Sequence, residues 1–269
     1  MSSLTVTMGT AVSDSLTITR RNLIKVKRVP DLIVFATLSP IMFVLLFRYV
    51  FGGAINVPGN VSYAEFLLPG IFAQTVIFGS TITGASLADD LQKGLIDRFR
   101  SLPMAQSAVL AGRTAADLCL NALSIAVMAI TGLLVGWRIH TSFVEAAGGF
   151  LLLLGFAYAM SWLMAQVGLM VRTPVVVQNA SFIVIFPITF VANTFVPLET
   201  FPPVLRTFAE WNPVSSVVQA ARDLFGNSFG APDVWSLQNP VLYSAIWGAA
   251  ILAVFVPLSV RTFRRTASR

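Results

Sequence analysis

The sequence predicts an all-α, polytopic membrane protein with six spans, and three observations predict it. Of 269 residues, 56% are hydrophobic and only 11% charged, whereas a soluble domain is about a quarter charged. Uncharged runs occupy 66–88, 118–137, 146–171, 173–198 and 234–260, and a shorter run, 32–47, continues past the single Arg48 through "YVFGG". Roughly 20 apolar residues cross the ~30 Å hydrocarbon core as a helix, so each run is long enough. The third observation is the distribution of Lys and Arg, which is retained on the cytoplasmic side of short loops. With both termini inside, the cytoplasmic segments hold 14 of the 18 basic residues, and only Arg48, Arg138, Arg206 and Arg222 fall outside. Trp137, Trp211 and Trp235 then belong at or near the outer interface.

Taken in chain order, residues 1–31 form a cytoplasmic N-terminus. On a helical wheel 15–29 separates Arg20, Arg21, Lys25, Lys27 and Arg28 from Leu16, Ile18, Leu23, Val26 and Val29, with Ile24 as the one violation. This is an interfacial amphipathic helix that lies in the inner headgroup plane, either as a plain anchor or packed as well on a cytoplasmic partner. The six-span domain follows over 32–260, and Pro40 and Pro187 are expected to kink their helices.

After the second span comes a charged loop, 89–107. Leu91, Leu95, Phe99 and Leu102 make one apolar stripe on a short helix that carries Asp97, Arg98 and Arg100. Gly94 permits a break from the membrane helix, and Pro103 stops the short one. Such a helix either lies on lipid or fits a groove on a soluble protein. At the inner end of the third span Arg113, Asp117 and Asn121 follow at intervals of four, so Arg113 and Asp117 can pair along one face. That pair reads as a structural clamp rather than a substrate site.

Gln74, Thr75 and Phe78 on the second span, with Asn179, Phe182, Phe186 and Asn193 on the fifth, combine weak polarity with aromatic surface. They are the candidate lining of a route for a large amphipathic solute, with ordinary helix packing as the alternative. In the outer loop 197–239, Asn212 is a good N-cap and Pro213 a good first helical residue. Val214, Val217, Val218, Ala221, Leu224 and Phe225 form an apolar stripe ended by Gly226. At about 14 residues this helix is too short to span, so it is expected as a re-entrant or lid helix at the outer face. Residues 261–269 form a basic cytoplasmic tail.

"KGLIDRFRSLPM", followed by "AVLAGRTAADL", resembles the cytoplasmic loop of type-2 ATP-binding-cassette exporter permeases of the daunorubicin-resistance type found in actinobacteria. "VRTP" before the fifth span, "FPITFVANTFVP" within it and "NPVSSVVQAARDLFGN" after it carry the same resemblance from about Arg20 to Arg265. It implies a bacterial plasma-membrane permease that works as a dimer above two separate ATPase subunits. The implied coupling surface is Leu95, Asp97, Arg98, Phe99, Arg100, Leu102 and Pro103, and Asn212, Pro213, Val217 and Val218 become a candidate outer gate. The implied cargo is a drug, lipid or lipid-linked glycan. The position two before Gly94, often acidic in that family, is Gln92 here, with Asp89 and Asp90 near.

Other function classes find little support. No G-x-x-x-x-G-K-[ST] run is present, so ATP and Mg are expected in the partner subunit and no cofactor on this chain. No cluster has metal-ligand spacing, and the only histidine, His140, is expected in a short outer loop with no Ser, Cys or carboxylate placed beside it. The net charge of +6 flanks apolar spans without an aromatic-interleaved patch, so nucleic acid is not expected. Partners are therefore the ATPase, a second permease copy and membrane lipid. The single Cys119 falls inside the third span. A motor-free secondary transporter is the alternative, but it needs an intramembrane carboxylate for coupling, and Asp117 is the sole candidate. A membrane-embedded enzyme is disfavoured by the lack of a catalytic constellation.

Overall fold

Backbone amides have no water to bond to inside a bilayer, so long uncharged runs must satisfy themselves as helices. A computed structural model describes residues 8–28, 30–52, 62–95, 106–171, 173–230 and 233–266, and among these no strand occurs. The helices are α1 (Met8–Arg28), α2 (Pro30–Leu46), α3 (Tyr63–Gln92), α4 (Gln106–Val135), α5 (Phe143–Met170), α6 (Pro174–Phe190), α7 (Pro203–Trp211), α8 (Pro213–Phe225), α9 (Trp235–Gln238) and α10 (Pro240–Thr266). A π-helical turn, Phe47–Phe51, prolongs α2. The helices Tyr63–Gln92, Ser107–Val135, Phe143–Met170 and Pro240–Arg265 are long and apolar enough to cross a membrane, and Thr37–Val50 and Pro174–Phe190 are shorter apolar helices. The expected fifth span, 173–198, is thus helical only to Phe190, and the chain then turns through 191–196.

Two of the long helices begin with the same device. Ser62 and Ser142 each cap their helix, and Glu65 and Glu145 reach back to the capping residue's amide. This reciprocal pair satisfies two otherwise orphaned N–H groups.

α3 is the central helix and is buried along most of its length. It crosses α5 where Gly84 and Gly168 meet. A Cβ on Gly84 would lie 2.6 Å from the Met164 carbonyl oxygen, and one on Gly168 would strike the Gly84 carbonyl. Small residues at a crossing let backbones approach and maximise packing, which drives helix association where lipid is as apolar as the side chains.

One end of the bundle gathers the start of α3, the α4–α5 loop and the end of α8. There Trp137 is fully buried, edge-on to Phe72 at 5.3 Å and to Phe225 at 5.4 Å, with its Nε1 donating to Asn227 Oδ1 at 2.7 Å. It is therefore a core residue and not an interfacial one, unlike Trp211 and Trp235, which are half exposed.

At the opposite end Leu87, Leu110, Trp162, Leu169 and Phe263 form a second apolar cluster. α1 docks close by on α4. Ile18 and Asn22 are buried, Thr19 Oγ1 donates to the Gly112 carbonyl at 3.1 Å, and Gly112 has room for no Cβ beside Ser15 and Ile18. The docked face is thus Ser15, Ile18, Thr19 and Asn22. Leu16, expected in the buried arc, is exposed along with Val12 and Ile24.

Candidate functional site

α2, α3 and α6 border a half-open cavity of about 230 Å³ lined by Ser39, Pro40, Phe43, Ile71, Gln74, Thr75, Phe78, Phe182, Phe186 and Phe190. Three helix periodicities bring these side chains together. Phe182, Phe186 and Phe190 recur every four residues on α6, Gln74 and Phe78 do so on α3, and Ser39 and Phe43 on α2. The rings form a nearly continuous wall. Phe186 lies 4.0 Å from Phe190 and 4.9 Å from Phe182, and Phe182 lies 6.0 Å from Phe78. Polar groups are few. Thr75 Oγ1 points at the Met128 sulfur, 3.1 Å away, and the buried Gln74 is part of the lining. An apolar aromatic hollow with one amide and two hydroxyls suits an amphipathic solute with a flat hydrophobic body.

Five of the seven residues chosen from the sequence line this cavity. Asn179 lies on the same α6 face one turn before Phe182 but is exposed and outside the lining, and Asn193 is buried in the turn after α6. The sequence reading missed Ser39, Pro40 and Phe43, because the first span carries no polar cluster to draw attention to it.

The turn after α6 is held by α8. Asn212 caps α8 by accepting from the Val214 amide at 2.9 Å, and its Nδ2 donates to the carbonyls of Ile188 (2.7 Å) and Val191 (3.0 Å). Ser215 Oγ accepts from the Asn193 amide at 3.3 Å. Arg222 donates through Nη2 to the carbonyls of Asn193 (2.6 Å) and Thr194 (3.3 Å) and through Nε to that of Phe66 (2.9 Å), with its guanidinium 3.7 Å over the Phe66 ring. The Asn193 amide, turned so that its oxygen accepts from Arg222 at 3.3 Å, donates to the Ser215 carbonyl at 3.2 Å. Arg222 is 1% exposed, and no carboxylate pairs with it among the described residues. Carbonyl dipoles and a ring face therefore offset the burial of its charge.

Residues 212, 215, 219 and 222 stand at helical spacing, so α8 carries a polar stripe opposite its apolar one. That period is present in "NPVSSVVQAAR", where the sequence reading takes the cap and the apolar stripe but not the polar one. Val217 and Val218 are fully buried, and Pro213 occupies the first turn as expected. α8 ends at Gly226, whose φ of 72° is the left-handed value that favours glycine; Asn227 N then donates to Arg222 O at 2.8 Å and Gly226 N to Asp223 O at 3.1 Å. Instead of a one-faced surface helix, α8 is buried on both its apolar and its polar side among α3, α5 and α10.

At the other end of α3 the helix stops at Gln92, and Gly94 adopts φ 66°. Lys93 Nζ lies 2.7 Å from Asp89 Oδ2, and this hydrogen bond holds the Lys93 ammonium above its usual range. Leu95 is half buried, and Asp97, Arg98, Phe99, Arg100, Leu102 and Pro103 lie outside the described residues. Arg113 Nε and Asp117 Oδ2 are 3.3 Å apart and buried, and Thr83 donates to the same carboxylate oxygen at 2.6 Å.

His140 corrects one expectation. Its Nε2 lies 2.6 Å from Glu65 Oε1, a carboxylate 75 residues away that sequence proximity does not reveal. The other Glu65 oxygen bonds the Ser62 amide and hydroxyl, so Ser62 and Glu65 serve the helix cap. No group of three His, Cys, Asp or Glu that could hold a metal occurs among the described residues.

Comparison with known proteins covers nearly the whole chain. The family model described as ABC-2 type transporter matches residues 14–225. The daunorubicin resistance ABC transporter permease protein DrrB1 of Streptomyces coeruleorubidus is 35% identical over 256 residues, 95% of this chain and 88% of that protein. The probable doxorubicin resistance ABC transporter permease protein DrrC of Mycobacterium tuberculosis is 26% identical over 258 residues, 96% of this chain and 90% of its own length. The putative transport permease ycf38 of Porphyra purpurea is 23% identical over 244 residues, 89% of this chain and 81% of that protein.

Proposed function

The chain belongs to the ABC-2 type transporter family, and on that premise we propose that it is the transmembrane permease subunit of an ATP-driven exporter of amphipathic aromatic drugs. The phenylalanine-lined cavity between α2, α3 and α6 is the observation that carries this reading, because it matches an amphipathic aromatic cargo in chemistry. The names of the relatives, daunorubicin and doxorubicin resistance permeases, point to the same cargo class. Lipids and lipid-linked glycans are secondary candidates.

In this reading the six apolar helices span the plasma membrane of a bacterium, both termini are cytoplasmic, and α8 is a re-entrant helix at the outer face. The basic-residue bias supports that orientation. α3 is the lever. It is a helix of 30 residues, about 45 Å long, with the loop that follows Gln92 at its inner end and Gln74, Thr75 and Phe78 on the cavity wall. ATP and Mg bound by two partner ATPases close those subunits, the loop moves, and the cavity passes from inward to outward access. A cavity of about 230 Å³ is smaller than the ~300–1,000 Å³ of drug-sized sites. The exposed faces of Phe182, Ile183 and Val184 beside it suit completion by a second copy of the permease.

Stimulation of ATP hydrolysis in the reconstituted complex by planar aromatic amines tests the reading. Stimulation that Phe186→Ala weakens supports it, and indifference of the ATPase to every such compound contradicts it.

A further inference from the structure

Two rings continue the phenylalanine wall beyond the cavity, at its α8 end. Phe195 stacks on Phe47 at 4.5 Å and lies tilted against Phe190 at 4.8 Å, and Phe47 in turn lies 6.1 Å from Phe43. Phe190 and Phe43 line the cavity while Phe47 and Phe195 do not, so the latter pair caps it. Phe195 is 4% exposed. It is carried by the turn 191–196, and four carbonyls of that turn, with that of Ile188 on the preceding helix, are taken by side chains from other elements. Asn212 bonds those of Ile188 and Val191, Arg222 those of Asn193 and Thr194, and the Tyr63 hydroxyl donates to that of Phe195 itself at 3.2 Å. α3 approaches the same turn so closely that a Cβ on Gly70 would lie 2.6 Å from the Thr194 carbonyl oxygen. The opposing ring, Phe47, stands at the start of the π-helical turn, an irregularity that occurs often at functional sites.

We infer that the Phe47–Phe195 stack closes the outer end of the cavity, and that Asn212 and Arg222 are positioning residues that hold Phe195 there through the backbone of its turn. The inference rests on the exporter reading for what the cavity carries. It does not rest on it for the closure, which concerns the cavity's access in the resting protein. Rigid side-chain donors fix the turn, so Phe195 can leave the stack only when α8 shifts against the end of α6. The pairing of α8 with α6 thereby becomes the release element for the exit.

Labelling reads this closure without any transport. In a Cys119→Ala background, Gln74→Cys places a thiol in the cavity of the full chain, co-expressed with its ATPase and held in right-side-out membrane vesicles. A membrane-impermeant thiol reagent added outside should label it slowly. Phe195→Ala should raise the rate roughly tenfold, the scale of shift that one or two lost contacts impose on a closed-to-open equilibrium. Phe195→Leu, which keeps the bulk, should leave labelling slow. Asn212→Ser retains an N-cap of similar quality but loses both donors to the turn, so it should accelerate labelling by roughly the same factor. Arg222→Lys should act likewise.

If a folded Phe195→Ala protein labels at the parent rate, or if the parent itself labels fast, the closure is not here. If Phe195→Ala accelerates labelling and Asn212→Ser does not, the positioning role is overturned; Asn212→Ser also decides that point should Arg222→Lys fail to fold. Loss of the exporter reading would show instead as absent ATP-driven transport in the same vesicles with the labelling pattern intact.

Discussion

Phe186→Ala is the substitution that separates ligand contact from folding. Phe186 lines the cavity between Phe182 and Phe190, at 4.9 and 4.0 Å, yet its side chain is 36% exposed. A fully buried Phe truncated to Ala costs about 3–5 kcal/mol through lost burial and a residual cavity, which is the expectation for Phe72, at 0% exposed. At Phe186 part of that surface already faces outward, so the fold is expected to survive. An aromatic pair contributes about 0.5–1.5 kcal/mol beyond area burial, and a bound planar solute would make one such pair with this ring plus some apolar contact. The loss comes to about 1–2 kcal/mol, or roughly a 5- to 30-fold rise in Kd. Equilibrium binding of a fluorescent planar aromatic amine to the purified permease–ATPase complex measures it, with assembly and unstimulated ATP hydrolysis as controls. Asn179→Ala, on the same helix face but outside the lining, should leave Kd unchanged. Equal affinity of Phe186→Ala and the parent, or an equal loss in Asn179→Ala, would refute the assignment of the cavity as the binding site.

Other outcomes follow from the same structure. Phe99→Asp, on the expected coupling helix, should abolish co-purification of the ATPase while the permease stays in the membrane; undiminished assembly and transport would remove the coupling role. In a Cys119→Ala background, cysteines at Ser62 and Thr207, both exposed, should label from outside and one at Lys93 should not, whereas the reverse pattern would invert the topology. Ser236 does not serve that purpose, since it is buried and its hydroxyl bonds the Glu210 carbonyl. Val218→Asp puts a carboxylate at a 0% exposed position and should destabilise the fold by several kcal/mol, read as loss of the monodisperse protein in detergent; retention of a stable protein would show that α8 is not packed as described. Asn212→Ala removes a cap worth about 1 kcal/mol and two hydrogen bonds of about 1 kcal/mol each, whereas Asn212→Ser keeps the cap and loses only the two bonds, so the thermal midpoint should fall in Asn212→Ser and further in Asn212→Ala; a parent-like midpoint in Asn212→Ser would mean the bonds to the turn contribute nothing.

What the sequence revealed and what it hid divide along physical lines. Local rules were legible. The Asn212–Pro213 start of α8, its Gly226 stop and the break at Gly94 each depend on a few adjacent residues. The candidate cavity residues on α3 and α6 were also legible, because their polar and aromatic side chains recur on one face of an apolar helix. Contacts between distant segments were not. Charge counting assigns Arg222 to the outer side of the membrane and says nothing of its burial; three carbonyls from α3 and the turn after α6 draw it into the core. The fifth span stops at Phe190 where run length alone continues it to 198, because side chains of α8 take up the carbonyls beyond it. His140 finds Glu65, and α1 buries Asn22 in place of Leu16, for the same reason: a partner 75 or 93 residues away decides which face is inside.

ATP-driven movement of a solute through this cavity is the central claim about function. The direct measurement reconstitutes the permease with its ATPase in liposomes and follows transport of a fluorescent planar aromatic amine. The account predicts transport that requires ATP and Mg, ceases without the ATPase, and slows in Phe186→Ala under subsaturating solute. Transport that proceeds without the ATPase and follows an imposed proton or sodium gradient would contradict it and return Asp117 to consideration as the coupling group.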